Sequence, residues 1–158
     1  MIHTHFADRV LELVTAKIPS LDTTGKCYLG FSTTAPNTDG YNFTEPSAVD
    51  YPSYERIQLS ISEALEWTDK WGDVNHGVVS NSEEFTSREC LEEGGWPPFT
   101  HFGLFEYKIG GLPMVSDLLR DPDGAVDPET GLYPEKALVV GLNKVAVFRA
   151  GTLQLTLR

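Results

Sequence analysis

The chain has 158 residues and 17.5 kDa, of which 41% are hydrophobic, 11% aromatic and 22% charged, a globular composition long enough for one domain with a real core. Lys and Arg number 12 against 23 Asp and Glu, so the formal charge is −11, a balance that repels phosphate backbones and argues against nucleic acid as a partner. No apolar run approaches the roughly 18 residues that cross a bilayer, and the opening residues lack the charged-then-apolar order of a signal peptide, which predicts a chain that stays in the cytosol where it is made.

Taken in chain order, the first expected element is an amphipathic helix from Ile2 to Lys17. Ile2, Phe6, Val10, Leu13 and Val14 recur at spacings of three and four, Thr4 suits the N-cap, and Pro19 ends the run. After Gly25 the period changes to two: Cys27, Leu29 and Phe31 alternate with Tyr28 and Gly30, a strand pattern. A polar loop from Ser32 to Gly40 follows. Ile57, Leu59 and Ile61 then predict the buried face of a strand whose other side, Arg56, Gln58 and Ser60, lies in water. The stretch from Ser62 to Trp71 reads equally as a short helix, with Leu65, Thr68 and Trp71 on one face, or as an irregular segment. Short strands are expected at 77–81, 99–107, 112–119, 138–140 and 144–148. The last is the cleanest: Leu153, Leu155 and Leu157 alternate with Thr152, Gln154 and Thr156, and Ala150-Gly151 turns into it from the strand before. About seven short strands and one helix predict a mainly β protein, an antiparallel β-sandwich or jelly-roll-like domain over residues 26–158, preceded by the helix and a connector over 1–25.

Chemistry-bearing patterns are sparse. Cys27 and Cys90 are too few and too far apart for a metal knuckle, and in a cytosolic chain they are expected to be free thiols. No Gly-x-Ser-x-Gly elbow and no phosphate-binding glycine pattern occurs. Asp121, Asp123, Asp127 and Glu129 surround Gly124 as Ca²⁺ ligands would, but their spacing is not that of an EF-hand and Asp-Pro and Asp-Gly are ordinary turn formers, so a solvated loop is expected. Glu83-Glu84 and Glu92-Glu93 are adjacent pairs that a strand would point to opposite faces. Trp67, Trp71 and Trp96 fit sugar-stacking platforms or buried anchors. No catalytic, cofactor or metal residue is assigned.

Several segments together resemble a known family. Tyr28-Leu29-Gly30-Phe31-Ser32-Thr33-Thr34-Ala35-Pro36 and Asn42-Phe43-Thr44-Glu45-Pro46-Ser47 open the pattern. Tyr54-Glu55-Arg56-Ile57, Val79-Ser80-Asn81, the run Thr100-His101-Phe102-Gly103-Leu104-Phe105, Gly110-Gly111-Leu112 and Ala150-Gly151-Thr152-Leu153 continue it in the same order. This series is similar to small tail-fibre-like virion proteins of tailed bacteriophages. The resemblance runs from about residue 26 to the C-terminus and brings no catalytic residues. It implies a non-enzymatic structural component of a virion, assembled in the host cytoplasm, whose partners are other virion proteins. The alternatives are a glycan-binding or host-attachment module of the tail, with a host surface glycan as partner, and a capsid decoration protein. The acidic stretch from Glu92 to Pro98 and the loop from Asp121 to Tyr133 depart from the family pattern.

An interface is expected where apolar groups exceed what a strand core absorbs. The candidates are Phe6, Val10 and Leu13 on the helix, and Trp96 and Phe99 in the proline-bearing loop, with a homo-oligomer as the consequence and a trimer on family analogy.

Overall fold

A computed structural model describes residues 1–7, 26–60, 66–67, 78–81 and 83–156. Nine strands are described: β1 (Lys26–Ser32), β2 (Ile57–Ser60), β3 (Glu66–Trp67), β4 (Val78–Ser80), β5 (Phe85–Thr86), β6 (His101–Phe105), β7 (Val115–Leu118), β8 (Val147–Phe148) and β9 (Gln154–Thr156). They form a four-stranded sheet in the order β2-β1-β6-β7, a three-stranded sheet β3-β4-β9 and the pair β5-β8. Every ladder is antiparallel, so the protein is mainly β.

The period-two reading of β1 holds in detail. Cys27, Leu29 and Phe31 are buried, as alternation requires of a strand with one face on the core. On the opposite face, Gly30 pairs directly with Gly103 of β6. A Cβ on Gly30 would lie 2.5 Å from Glu45 Oε1, and one on Gly103 would lie 2.8 Å from the Phe43 ring. The two facing glycines therefore let the 42–46 loop lie directly against the sheet, with Phe43 edge-on to Phe105.

Aromatic rings link the sheets. Phe31 of β1 stacks on Phe148 of β8 with centroids 5.4 Å apart and packs on Phe99 at 5.5 Å, while Phe148 stacks on Phe85 of β5 at 5.3 Å. Leu153 and Leu155 join the same core from the β9 side. Asp117 of β7 ties the sheets at a second point, accepting from the Thr156 N–H (2.7 Å) and hydroxyl (2.6 Å) of β9.

At the start of the chain, Ile2 bridges Val115, and His3 N–H donates to Met114 O, so residues 1–3 lie along the outer edge of β7. The expected helix therefore does not begin at Ile2, which the bridge to β7 holds extended; one helical turn follows at residues 4–7, and Phe6 packs against the common core. The remainder of the expected helix, with Val10 and Leu13, lies outside the described residues, as do Leu65, Thr68 and Trp71; the described part of 62–71 is β3.

Three further expectations are corrected. Arg56, placed in water by alternation, is buried at 6% exposure, and Gln154, which alternates with the leucines of the last strand, is buried at 2%, because each finds internal polar partners. Leu138 to Val140 form a single bridge, Phe99 to Leu138, rather than a strand. Finally, β8 and β9 are not a hairpin: the turn at 149–152 closes with Thr152 N–H to Arg149 O (3.1 Å), but β8 pairs with β5 and β9 with β4.

Candidate functional site

Three knots of polar side chains each join segments distant in sequence. In the first, the Arg56 guanidinium lies over the Phe105 ring, 3.4 Å from its centroid. Its Nε donates to both Glu45 oxygens (3.0 and 3.1 Å), and Nη1 donates to the carbonyls of Tyr107 (2.7 Å) and Gly110 (2.8 Å). Tyr54 hydroxyl also donates to Glu45 Oε1 (3.0 Å) and accepts from Phe31 N–H (2.8 Å). Burial raises the Tyr54 phenol far above its ordinary value, and the Glu45 charge adds to this. The phenol therefore stays protonated as a donor.

Asn81 centres the second knot. Its side-chain amide donates to the carbonyls of Glu83 and Arg149, both at 2.8 Å, and its Oδ1 accepts from Leu153 N–H (2.9 Å). The 149–152 turn is thereby pinned to the end of β4.

The third knot is Glu92. Its carboxylate accepts from Ser53 N–H (3.0 Å), Ser53 hydroxyl, Leu91 N–H (3.2 Å), the Cys90 thiol (3.4 Å) and Trp96 Nε1–H (3.0 Å). Burial pushes the Glu92 pKa up, but the hydrogen bonds from Ser53, Cys90 and the local backbone outweigh it and hold the carboxyl at about 2. This is a Ser–Glu–Trp contact that fastens the 51–54 turn to the 90–96 loop.

Several other titratable groups are also engaged within the chain. His3 is fully buried, with Nδ1 3.3 Å from Thr38 O and Nε2 2.9 Å from Ser116 Oγ, and burial lowers its pKa. Burial likewise lowers His101, beside Thr100 Oγ1 at 2.8 Å. Cys27 and Cys90 are buried free thiols, and burial raises Cys27 to about 11. In the acidic loop, Asp121 pairs with Lys136 at 2.8 Å and accepts from Asp123 N–H, while Asp127 accepts from Glu129 N–H. Among the described residues no three His, Cys, Asp or Glu side chains are placed to hold a metal ion together. Of the three tryptophans, Trp96 is an interior residue; Trp67 enters through its backbone in β3 and Trp71 lies outside the described residues.

The expected interface residues take different places. Trp96 (3% exposed) and Phe99 (0%) are buried in the chain's own core, edge-on and tilted against Tyr54. The premise that a strand core has no room for them is corrected: the proline-bearing loop folds inward because Glu92 and Ser53 satisfy the indole N–H. Phe6 is half-buried against the core, and Val10 and Leu13 lie outside the described residues.

Exposed apolar side chains include a group along residues 138–148. Val140, Ala146 and Phe148 point inward, and Val139, Val145 and Val147 point outward at 71%, 45% and 51% exposure, flanked by Leu91 and Leu142. Beside this row lies a groove of about 340 Å³ whose walls include Leu118, Arg120, Ala137, Val139, Val147 and Leu153. Alternation alone carried the signal for Val145 and Val147 sharing a face. No sequence signal marks Arg56, Asn81 or Gln154 as buried. Among the described residues no helix is long and apolar enough to cross a membrane. No protein-family model matches the chain, and no curated protein matches it.

Proposed function

We propose that this chain is a non-enzymatic structural component of a tailed-phage virion, acting through contacts between subunits. The observation that carries the reading is the outward apolar side chains Val139, Val145 and Val147 beside an open groove, an apolar surface that contact with another polypeptide would take out of water. A second support is where the resembling motifs lie. Glu45, Tyr54, Arg56, Phe105 and Gly110 come from four of those segments and meet in one ion-paired knot, while the segments holding Asn81 and Leu153 meet in another. Motifs that specify packing belong to a protein whose function is its shape. In this reading the antiparallel sheets are arranged as a sandwich or jelly-roll-like body, and the chain occupies the virion as a homo-oligomer among other virion proteins.

The test is mass spectrometry of purified phage particles together with incubation of the purified chain with host wall and capsule polysaccharides. The chain is expected as a stoichiometric particle protein that leaves the polysaccharides intact. Its absence from particles, or release of reducing ends, overturns the reading.

A further inference from the structure

Few bonds hold residues 1–3 on the outer edge of β7. His3 N–H donates to Met114 O (3.0 Å), Ser116 N–H donates to Met1 O (2.9 Å), and Ile2 stands opposite Val115. The other side of β7 is taken by β6. The side-chain anchor of this strap is His3. Met1 and Ile2 are exposed, whereas the His3 ring is fully buried and closed in by Gly40, where an added Cβ would lie 3.4 Å from it. Its two nitrogens have different roles. Thr38 O only accepts, so Nδ1, 3.3 Å away, carries the proton, and Nε2 is left to accept from the Ser116 hydroxyl at 2.9 Å.

This neutral tautomer satisfies both contacts. A second proton, on Nε2, would turn the Ser116 hydroxyl hydrogen away and leave a full charge buried. No carboxylate among the described residues is placed to pair with it. On its own segment the Met1 amino group and the His5 ring, stacked 6.2 Å away, both oppose a positive charge. The 37–40 loop offers the Thr38 carbonyl, while its carboxylate, Asp39, is exposed. On β7, Asp117 follows Ser116 on the opposite face, where it accepts from Thr156 and lies 3.6 Å from Arg120. His101 of β6 stands across from Leu118 and contacts Thr100. Burial is the largest cause of the lowered His3 pKa.

We propose that His3 is the latch of an acid-released strap: its protonation detaches residues 1–7 while the sheets stay folded, uncovering the edge of β7. The release is local because the ladders and the Phe31, Phe85, Phe99 and Phe148 ring contacts are all made without residues 1–7. Once the strap is off, Ser116 N–H and Met114 C=O face outward as an open strand edge. The latch does not rest on the virion reading and goes beyond it.

Histidine-ring NMR and amide hydrogen exchange on the full chain at pH 7.5 and 5.5 test this, with exchange normalised at each pH to the rate of an unprotected amide. A freed imidazole titrates near 6.5, so the opening constant at the His3 and Ser116 amides should rise roughly three- to tenfold over the interval, in step with the His3 ring. The Phe99 and Leu138 amides, each bonded to the other's carbonyl in the core, should keep their protection. His3→Gln, neutral at both pH values, should remove the pH dependence at Ser116, whereas His5→Gln and His101→Gln should retain it. Unchanged Ser116 protection, or a pH dependence that survives in His3→Gln, overturns the latch. An equal loss at Ser116, Phe99 and Leu138 is global unfolding and overturns the local release. If His3→Gln leaves the strap open at both pH values, the unsubstituted chain decides: opening that follows the His5 or His101 ring instead of His3 overturns the proposal.

Discussion

Glu92 and His3 set opposite requirements on protonation, and both tie stability to pH. The Glu92 carboxyl ordinarily titrates near 4.5 and is held at about 2 in the fold, so its contribution is complete above 4.5 and is lost as pH falls toward 2. Urea unfolding across that window should show a steep loss of stability that Glu92→Gln flattens. At neutral pH the same variant should cost roughly 1–3 kcal/mol, because Ser53 and the Trp96 indole lose a charged acceptor. His3 and His101 are depressed below the ordinary 6.5, so they favour the fold when neutral; stability is complete above 6.5 and declines as pH falls toward their lowered values. Thermal melts at pH 7.5 and 5.5 should therefore differ, with the lower pH less stable, and His3→Gln should reduce the difference. Arg56→Ala strands Glu45 and two carbonyls beside Phe105, and breaking a pair this buried should cost roughly 3–5 kcal/mol by chemical denaturation.

At the scale of elements, the four-stranded sheet depends on the loop that covers it. Gly30 and Gly103 stand opposite each other across β1 and β6, with Glu45 above one and Phe43 above the other. Alanine at either position places a methyl inside van der Waals contact, and a well-packed site resists such insertion by roughly 1–3 kcal/mol. Gly30→Ala should be the worse of the two, since its methyl meets a carboxylate already fixed by Arg56. A comparison of the two melting temperatures checks the ranking. The strands themselves were legible: β1, β2, β6, β7 and β9 all fall within runs of alternating or continuous apolar residues. Their polar exceptions were not. Gln154 is buried because its Oε1 accepts from Tyr133 N–H, 21 residues away, and no local pattern reports such a partner.

For the molecule as a whole, the first residues matter more than their length implies. Residues 1–3 run along the outer edge of β7, and Phe6 packs on the core they adjoin. Deleting residues 1–7 uncovers that edge and should both lower the melting temperature and promote edge-to-edge aggregation, measurable by light scattering during a thermal ramp. Val139, Val145 and Val147 are likewise apolar side chains left exposed in the single chain. The net charge of −11 opposes casual association through them.

The amino-acid sequence by itself determined the β class, most strand positions and the acidic balance, because alternation, turn residues and charge are local properties. It also contained the paired motifs that meet in the Arg56 and Asn81 knots, without revealing that they meet. Only the tertiary structure decided which strands pair, that Trp96 and Phe99 turn inward, and that Arg56, Asn81 and Gln154 are interior residues. Whether a polar side chain is buried depends on a partner supplied from far along the chain, and whether an apolar one is exposed depends on which edges the fold leaves open; neither is encoded within reach of a few residues.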